Sequence, residues 1–124
     1  MIEKTPNMKS LMFSIKLASW SGERQLEWIR RTGFAEDEIV LQLEDFYIAV
    51  KSRVTYDEEE EFPEFLEKGV EEILDLFTRL IDADPELWSP ESMLSAEKWE
   101  VVRDRSRRLL GEIRDSSWSS FLDE

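Results

Sequence analysis

Neither cysteine nor histidine occurs in the 124-residue chain. Their absence removes any disulfide framework, every thiolate or imidazole ligand for zinc, and the Ser-His and Cys-His nucleophilic pairs on which most hydrolases rely. Glycine is scarce as well. Gly22, Gly33, Gly69 and Gly111 stand far apart and form neither a phosphate-cradling loop nor a dinucleotide fingerprint. No apolar run approaches the length of a membrane span, and the first ten residues are charged and interrupted by Pro6, unlike a secretion signal. Nothing in this composition points to an oxidising compartment, so the cytoplasm is the expected location, with no cofactor and no membrane association.

Basic residues are few beside acidic ones, 16 against 29, for a net charge of -13. A field of that sign repels nucleic-acid backbones and anionic membranes, so direct nucleic-acid binding is not expected, whereas a basic protein partner would be drawn in. The charge is unevenly spread: residues 36–91 hold 19 acids and 4 bases, whereas residues 1–31 carry a net charge of +3 and residues 97–124 a net charge of -1. Hydrophobic residues make up 41% of the chain and aromatics 11%, enough apolar material to offset the ordering entropy, so a single helical domain over residues 1–124 is expected.

The hydrophobic spacing predicts an all-α compact bundle of about five helices. Thr5 before Pro6 reads as a cap for a first helix carrying Met8, Leu11, Met12 and Ile15 and ending near Ser19. A short second helix over 22–32 ends at Gly33, with Phe34 as the apolar contact of the cap. Residues 35–54 place Ile39, Leu43, Phe46, Val50 and Val54 at helical spacing, although the alternation of Ile48, Val50, Ser52, Val54 and Tyr56 offers a β-hairpin over 39–56 as the competing reading. Phe62 and Pro63 end an acidic loop. A strongly amphipathic fourth helix from Pro63 to about Asp82 follows, with Leu66, Val70, Ile73, Phe77, Leu80 and Ile81 on its apolar stripe. Residues 84–91, with Pro85 and Pro90, read as a loop pinned by Leu87 and Trp88, and Ser95 as the cap of a fifth helix carrying Trp99, Val102, Ser106, Leu109 and Ile113. The tail over 115–124 either docks or frays.

Carboxylates are the one reactive class in surplus, and two patterns in them bear on function. The first is a divalent-cation site, since hard cations need oxygen ligands alone. Glu72 and Asp75, with Glu58 and Glu61 upstream, have spacings that resemble the ExxE and ExxD pairs of the all-α nucleotide pyrophosphohydrolases. That resemblance implies Mg²⁺-dependent hydrolysis from inward-facing carboxylates, yet here the upstream pair falls in the loop just before Phe62 and Pro63. The second pattern is a surface for a basic partner, built from Asp57, Glu58, Glu59, Glu60 and Glu61 and extended by Glu64, Glu67 and Glu71.

Two bland alternatives stand beside it: simple solubility, and pairing with Arg103, Arg105, Arg107, Arg108 and Arg114 of the last helix. Among the tryptophans, Trp28 and Trp99 read as core, while Trp20, Trp88 and Trp118 fall near helix ends or loops; Trp88, beside carboxylates, joins the candidate partner-binding residues. The functional expectation is a non-catalytic acidic protein that neutralises or regulates a basic macromolecule, most concretely an immunity or antitoxin protein blocking a cationic toxin. A nucleic-acid mimic and a self-associating helical adaptor forming homo-oligomers are the alternatives in the binding class.

Overall fold

The computed structural model describes residues 2–122. Among the described residues there are six α-helices and no strand: α1 (Pro6–Ser19), α2 (Gly22–Thr32), α3 (Glu38–Ser52), α4 (Glu64–Ala83), α5 (Pro90–Ser95) and α6 (Glu97–Arg114). The hairpin reading of 39–56 is thereby set aside: α3 is continuous and runs on into one π-helical turn, Arg53–Asp57. It buries Ile39, Leu43, Tyr47 and Val50, with Tyr47 taking the place expected of Phe46, which is only partly buried.

Four of the helices form a square. α1 packs on α3 and α6, and α4 packs on the same two, so α1 and α4 occupy opposite corners. α1 carries no acidic residue, and its Met8, Leu11, Met12, Ile15, Leu17 and Ala18 are all essentially inaccessible, as befits a helix with neighbours on several sides. α4 buries a single stripe, Leu66, Val70, Ile73, Phe77 and Leu80, and turns its remaining face outward. Trp99, Val102, Ser106, Leu109 and Ile113 of α6 supply the facing stripe.

Most helix ends follow from local chemistry. The Thr5 hydroxyl accepts from the Met8 amide at 3.2 Å, and Ser21 serves α2 in the same way. Gly33 ends α2 in the left-handed conformation, φ 75°, and Phe34 packs on Trp28 with ring centroids 5.5 Å apart. Residues 84–91 are more ordered than a plain loop. Asp84 caps a 3-10 turn, Pro85–Trp88, and Ser89 caps α5, whose last residue is Ser95. Ser95 therefore does not cap α6: its hydroxyl donates to Glu91 O, and α6 starts after Ala96 without a side-chain cap. The C-terminal tail docks as far as it is described. A 3-10 turn, Ser117–Phe121, buries Trp118 against Phe62 at 5.7 Å, and Leu122 is buried too, while residues 123 and 124 lie outside the described residues.

One buried polar node joins these parts. Arg103 of α6 is 2% exposed. Its guanidinium donates twice to Gln25 Oε1, at 3.0 and 2.9 Å, once to the carbonyl of Met93 in α5, and once to Glu100 Oε2 at 3.2 Å. Gln25 is itself fully buried and donates from Nε2 to the carbonyls of Leu17, at 2.9 Å, and Ala18 at the end of α1. Four helices thus meet at one cation whose donors are shared among three acceptor groups. Gly22 lets α2 come this close: a Cβ there would stand 2.5 Å from the Met93 carbonyl oxygen.

Arg103→Ala should lower unfolding free energy by about 3 kcal/mol in urea titrations, because it strands two buried acceptors and leaves a cavity. The paired replacement Arg103→Met with Gln25→Leu should recover only part of that loss, because the Met93 and Ala18 carbonyls stay unmatched, and a single-variant cost below about 1 kcal/mol would show that the node is dispensable.

Candidate functional site

The acidic run lies where α3 hands over to α4. The π-helical turn Arg53–Asp57 is closed by the Glu58 amide donating to Arg53 O at 3.0 Å, and the Glu60 amide then reaches back to Val54 O at 2.9 Å. Glu59 sits between them at φ 52°, the one non-glycine residue with positive φ among the described residues. A left-handed conformation costs an ordinary side chain about 1 kcal/mol, and such strain persists only where neighbouring structure enforces it.

Glu58 is part of that enforcement. Its carboxylate accepts from the Glu3 amide at 2.8 Å and stands 3.4 Å from Arg53 Nε, while Arg53 Nη2 reaches Glu3 at 2.9 Å. The N-terminal segment is thereby strapped across the end of α3.

The acids proposed from sequence therefore divide into two sets. Glu58 is paired with Arg53, Glu67 with Lys51 at 3.4 Å, and Glu60 is also engaged within the chain. Asp57, Glu59, Glu61, Glu64 and Glu71 are exposed and carry no ion pair among the described residues. Glu71 acts on a buried phenol: Tyr47 is 6% exposed, and burial together with the Glu71 charge pushes its pKa up. Lys51 is the counterweight. Desolvation opposes its charge, but Tyr47 and Glu67 outweigh that and raise its pKa.

The last helix neutralises less of the acid surface than its arginine count suggests. Arg105 hydrogen-bonds Glu72 across the α4–α6 seam, and Arg108 approaches the same oxygen at 3.6 Å. Arg103 is spent in the buried node, and Arg107 donates to Ser19 O and to Glu100 and Asp104 of its own helix. Glu72 is consequently held below the ordinary carboxylate range, first by its Arg105 hydrogen bond, and Glu100 likewise by those from Arg107 and Arg103. Asp75 is paired with Arg79 at 2.8 Å on the exposed side of α4. Glu72 and Asp75 thus face cations and solvent, and the described residues contain no group of three or more acidic side chains placed to hold a metal ion. The inward-facing arrangement implied by the pyrophosphohydrolase resemblance is not assembled.

Trp88 stands apart from the acidic run. The run precedes α4 and Trp88 follows it, so the 20 residues of the helix, about 30 Å, separate them. Trp88 is partly buried, with its ring on Trp99 at 5.2 Å and Phe77 at 6.1 Å, and it lines a shallow groove with Ala35, Glu36, Asp37 and Pro85. The aromatic that does accompany the acids is Tyr56, 77% exposed and immediately before Asp57. In the sequence it reads as the last residue of the strand-like alternation; only the π turn swings it outward.

Glu59→Gly should be more stable than Glu59→Ala by about 1 kcal/mol in thermal or urea unfolding, since only alanine retains the left-handed strain; equal stability would mean the turn relaxes. A folded-state pKa below the unfolded one stabilises the fold above the unfolded value and stops doing so as pH falls through the lowered one. Glu72→Gln should therefore cost stability at neutral pH, with the two stability curves converging in acid; a gap that persists there would assign the loss to packing. Comparison with protein-family models, with curated proteins and with solved structures finds no match.

Proposed function

We propose that this chain is a non-catalytic acidic binding protein that neutralises or regulates a basic macromolecular partner, most concretely an immunity or antitoxin protein that inhibits a cationic toxin in the cytoplasm. The observation that carries this reading is the set of five exposed, unpaired carboxylates, Asp57, Glu59, Glu61, Glu64 and Glu71, gathered on the α3–α4 loop and the adjoining half of α4. Like charges held this close repel one another in the free protein, and a cationic surface relieves that repulsion on docking. The strain at Glu59 and the strap through Glu3, Arg53 and Glu58 hold the loop in one conformation, which reduces the ordering cost of association.

The shape of the patch favours a blocker over a nucleic-acid mimic. A mimic needs an evenly charged ridge, whereas this stripe is interrupted by Lys68, by Lys51 on Glu67 and by Arg79 on Asp75. From Glu64 to Asp75 the helix advances only about 16 Å. Tyr56 at the edge of the acids supplies an apolar anchor of the kind that carries binding energy once charge has steered the encounter.

Affinity capture from the native host should yield a basic protein. Replacing Asp57, Glu59 and Glu61 by Ser, which spares the structurally engaged Glu58 and Glu60, should slow its association about tenfold or more at low salt and flatten the salt dependence. Unchanged association kinetics would remove the loop from the interface.

A further inference from the structure

A second surface, over α1 and α2, exposes aromatic rings beside cations. Phe13 of α1 and Phe34 beyond α2 are 36% and 45% exposed, and a chain of rings connects them: Phe13 to Trp28 at 6.4 Å, and Trp28 to Phe34 at 5.5 Å. Trp20, half-buried, meets Phe13 edge-on at 5.6 Å, and the Arg24 guanidinium lies 3.9 Å over its ring. Lys9 lies one turn before Phe13, and Arg24 and Arg31 flank Trp28 on one face of α2. Lys9 and Phe13 share their groove with Glu38 and Asp45, so the basic character is that of Arg24 and Arg31, neither of which makes an ion pair among the described residues although Glu27 is on the same helix. Exposed aromatics at the rim of unpaired cations form a surface for an aromatic side chain accompanied by carboxylates.

We infer that this aromatic face of α1 and α2 docks a second copy of the chain, which inserts Tyr56 among the rings and sets the unpaired acids of its α3–α4 loop against Arg24 and Arg31. The chain itself carries that chemistry: Tyr56 is 77% exposed, and Asp57, Glu59 and Glu61 follow it without partners. The loop leaves the end of α3, whereas most rings and both arginines of the face lie on or beside α2, which packs on α5, so one copy's loop can engage a neighbour's face while its own face stays open. The contact is heterologous, and growth continues head to tail until a ring closes.

The net charge of -13 opposes association over distance, but at physiological salt a screening length of about 8 Å weakens repulsion between whole molecules more than attraction between groups in contact. The contact is small, and a dissociation constant on the order of 100 µM suits its size. A basic partner bound to the loop would compete for the same residues, so partner binding would dissolve the assembly.

Sedimentation velocity on the full chain tests this with two variants, each first verified as folded by circular dichroism. The face variant is Arg24→Glu with Arg31→Glu; the loop variant is Tyr56→Ser with Glu59→Ser and Glu61→Ser. The wild type should grow beyond a dimer as concentration rises, each variant alone should stay monomeric, and their mixture should give a one-to-one dimer that stops there, because it contains one intact face and one intact loop. A wild type monomeric at all accessible concentrations, self-association that survives in either variant, or a mixture that fails to pair would overturn the inference. Partner capture is read separately, because the face variant retains the complete acidic loop.

Discussion

Arg103 carries a full positive charge into the interior of the helical body, and the arrangement around it fixes both the shape of the molecule and its surface charge. A buried guanidinium is tolerated only when its donors are met, and here they are met by Gln25, the Met93 carbonyl and Glu100, from three different helices. Gln25 in turn donates to the Leu17 and Ala18 carbonyls at the end of α1, the first of which also accepts from the Trp20 amide. The node sets how α2 and α5 lie on the α1–α6 pair, and hence where the aromatic face over α1 and α2 is presented.

The same arginine matters by its absence from the surface. Of the cations on α6, Arg103 and Arg107 turn toward α1, α2 and their own helix, and Arg105 and Arg108 both converge on Glu72. What Arg105 and Arg108 neutralise on α4 is therefore one carboxylate, Glu67 and Asp75 being paired with Lys51 and Arg79, and Glu64 and Glu71 are left unopposed beside the acidic loop. The α1–α2 cations cannot supply the deficit, because α1 is the corner of the square farthest from α4. The concentration of unpaired acid on the α3–α4 loop and the start of α4 is thus a consequence of topology.

Much of this fold was legible in the sequence because helix periodicity and capping are local. The spacing of Ile39, Leu43, Val50 and Val54 outweighed the β-branched alternation, and Thr5 and Gly33 mark their helix ends by chemistry contained within a few residues. Residues 84–91 were harder, since two prolines signal a break and do not reveal that each opens a short helical turn after a capping Asp or Ser. The acidic run was evident as charge, but its division into paired and unpaired members depends on the π turn that brings Arg53 to Glu58 and on Lys51 and Glu3, which reach their acids through the tertiary fold. Arg103 was the least legible residue of all. In an arginine-rich helix it reads as one more surface cation, and its interior role follows from its being one position from Val102 on the buried face and close to Gln25, 78 residues away in sequence.

Docking of a basic partner depends on carboxylates that face solvent with no ion-pair partner of their own. Zero-length carbodiimide coupling tests this directly, because it joins a carboxylate only to an amine in contact with it. With the partner captured from the native host, peptide mapping by mass spectrometry should locate the couplings at Asp57, Glu59, Glu61, Glu64 and Glu71, joined to lysines of a basic protein. Couplings confined to other carboxylates, such as Asp82, Glu97 or Glu112, or a captured partner that is itself acidic, would contradict it.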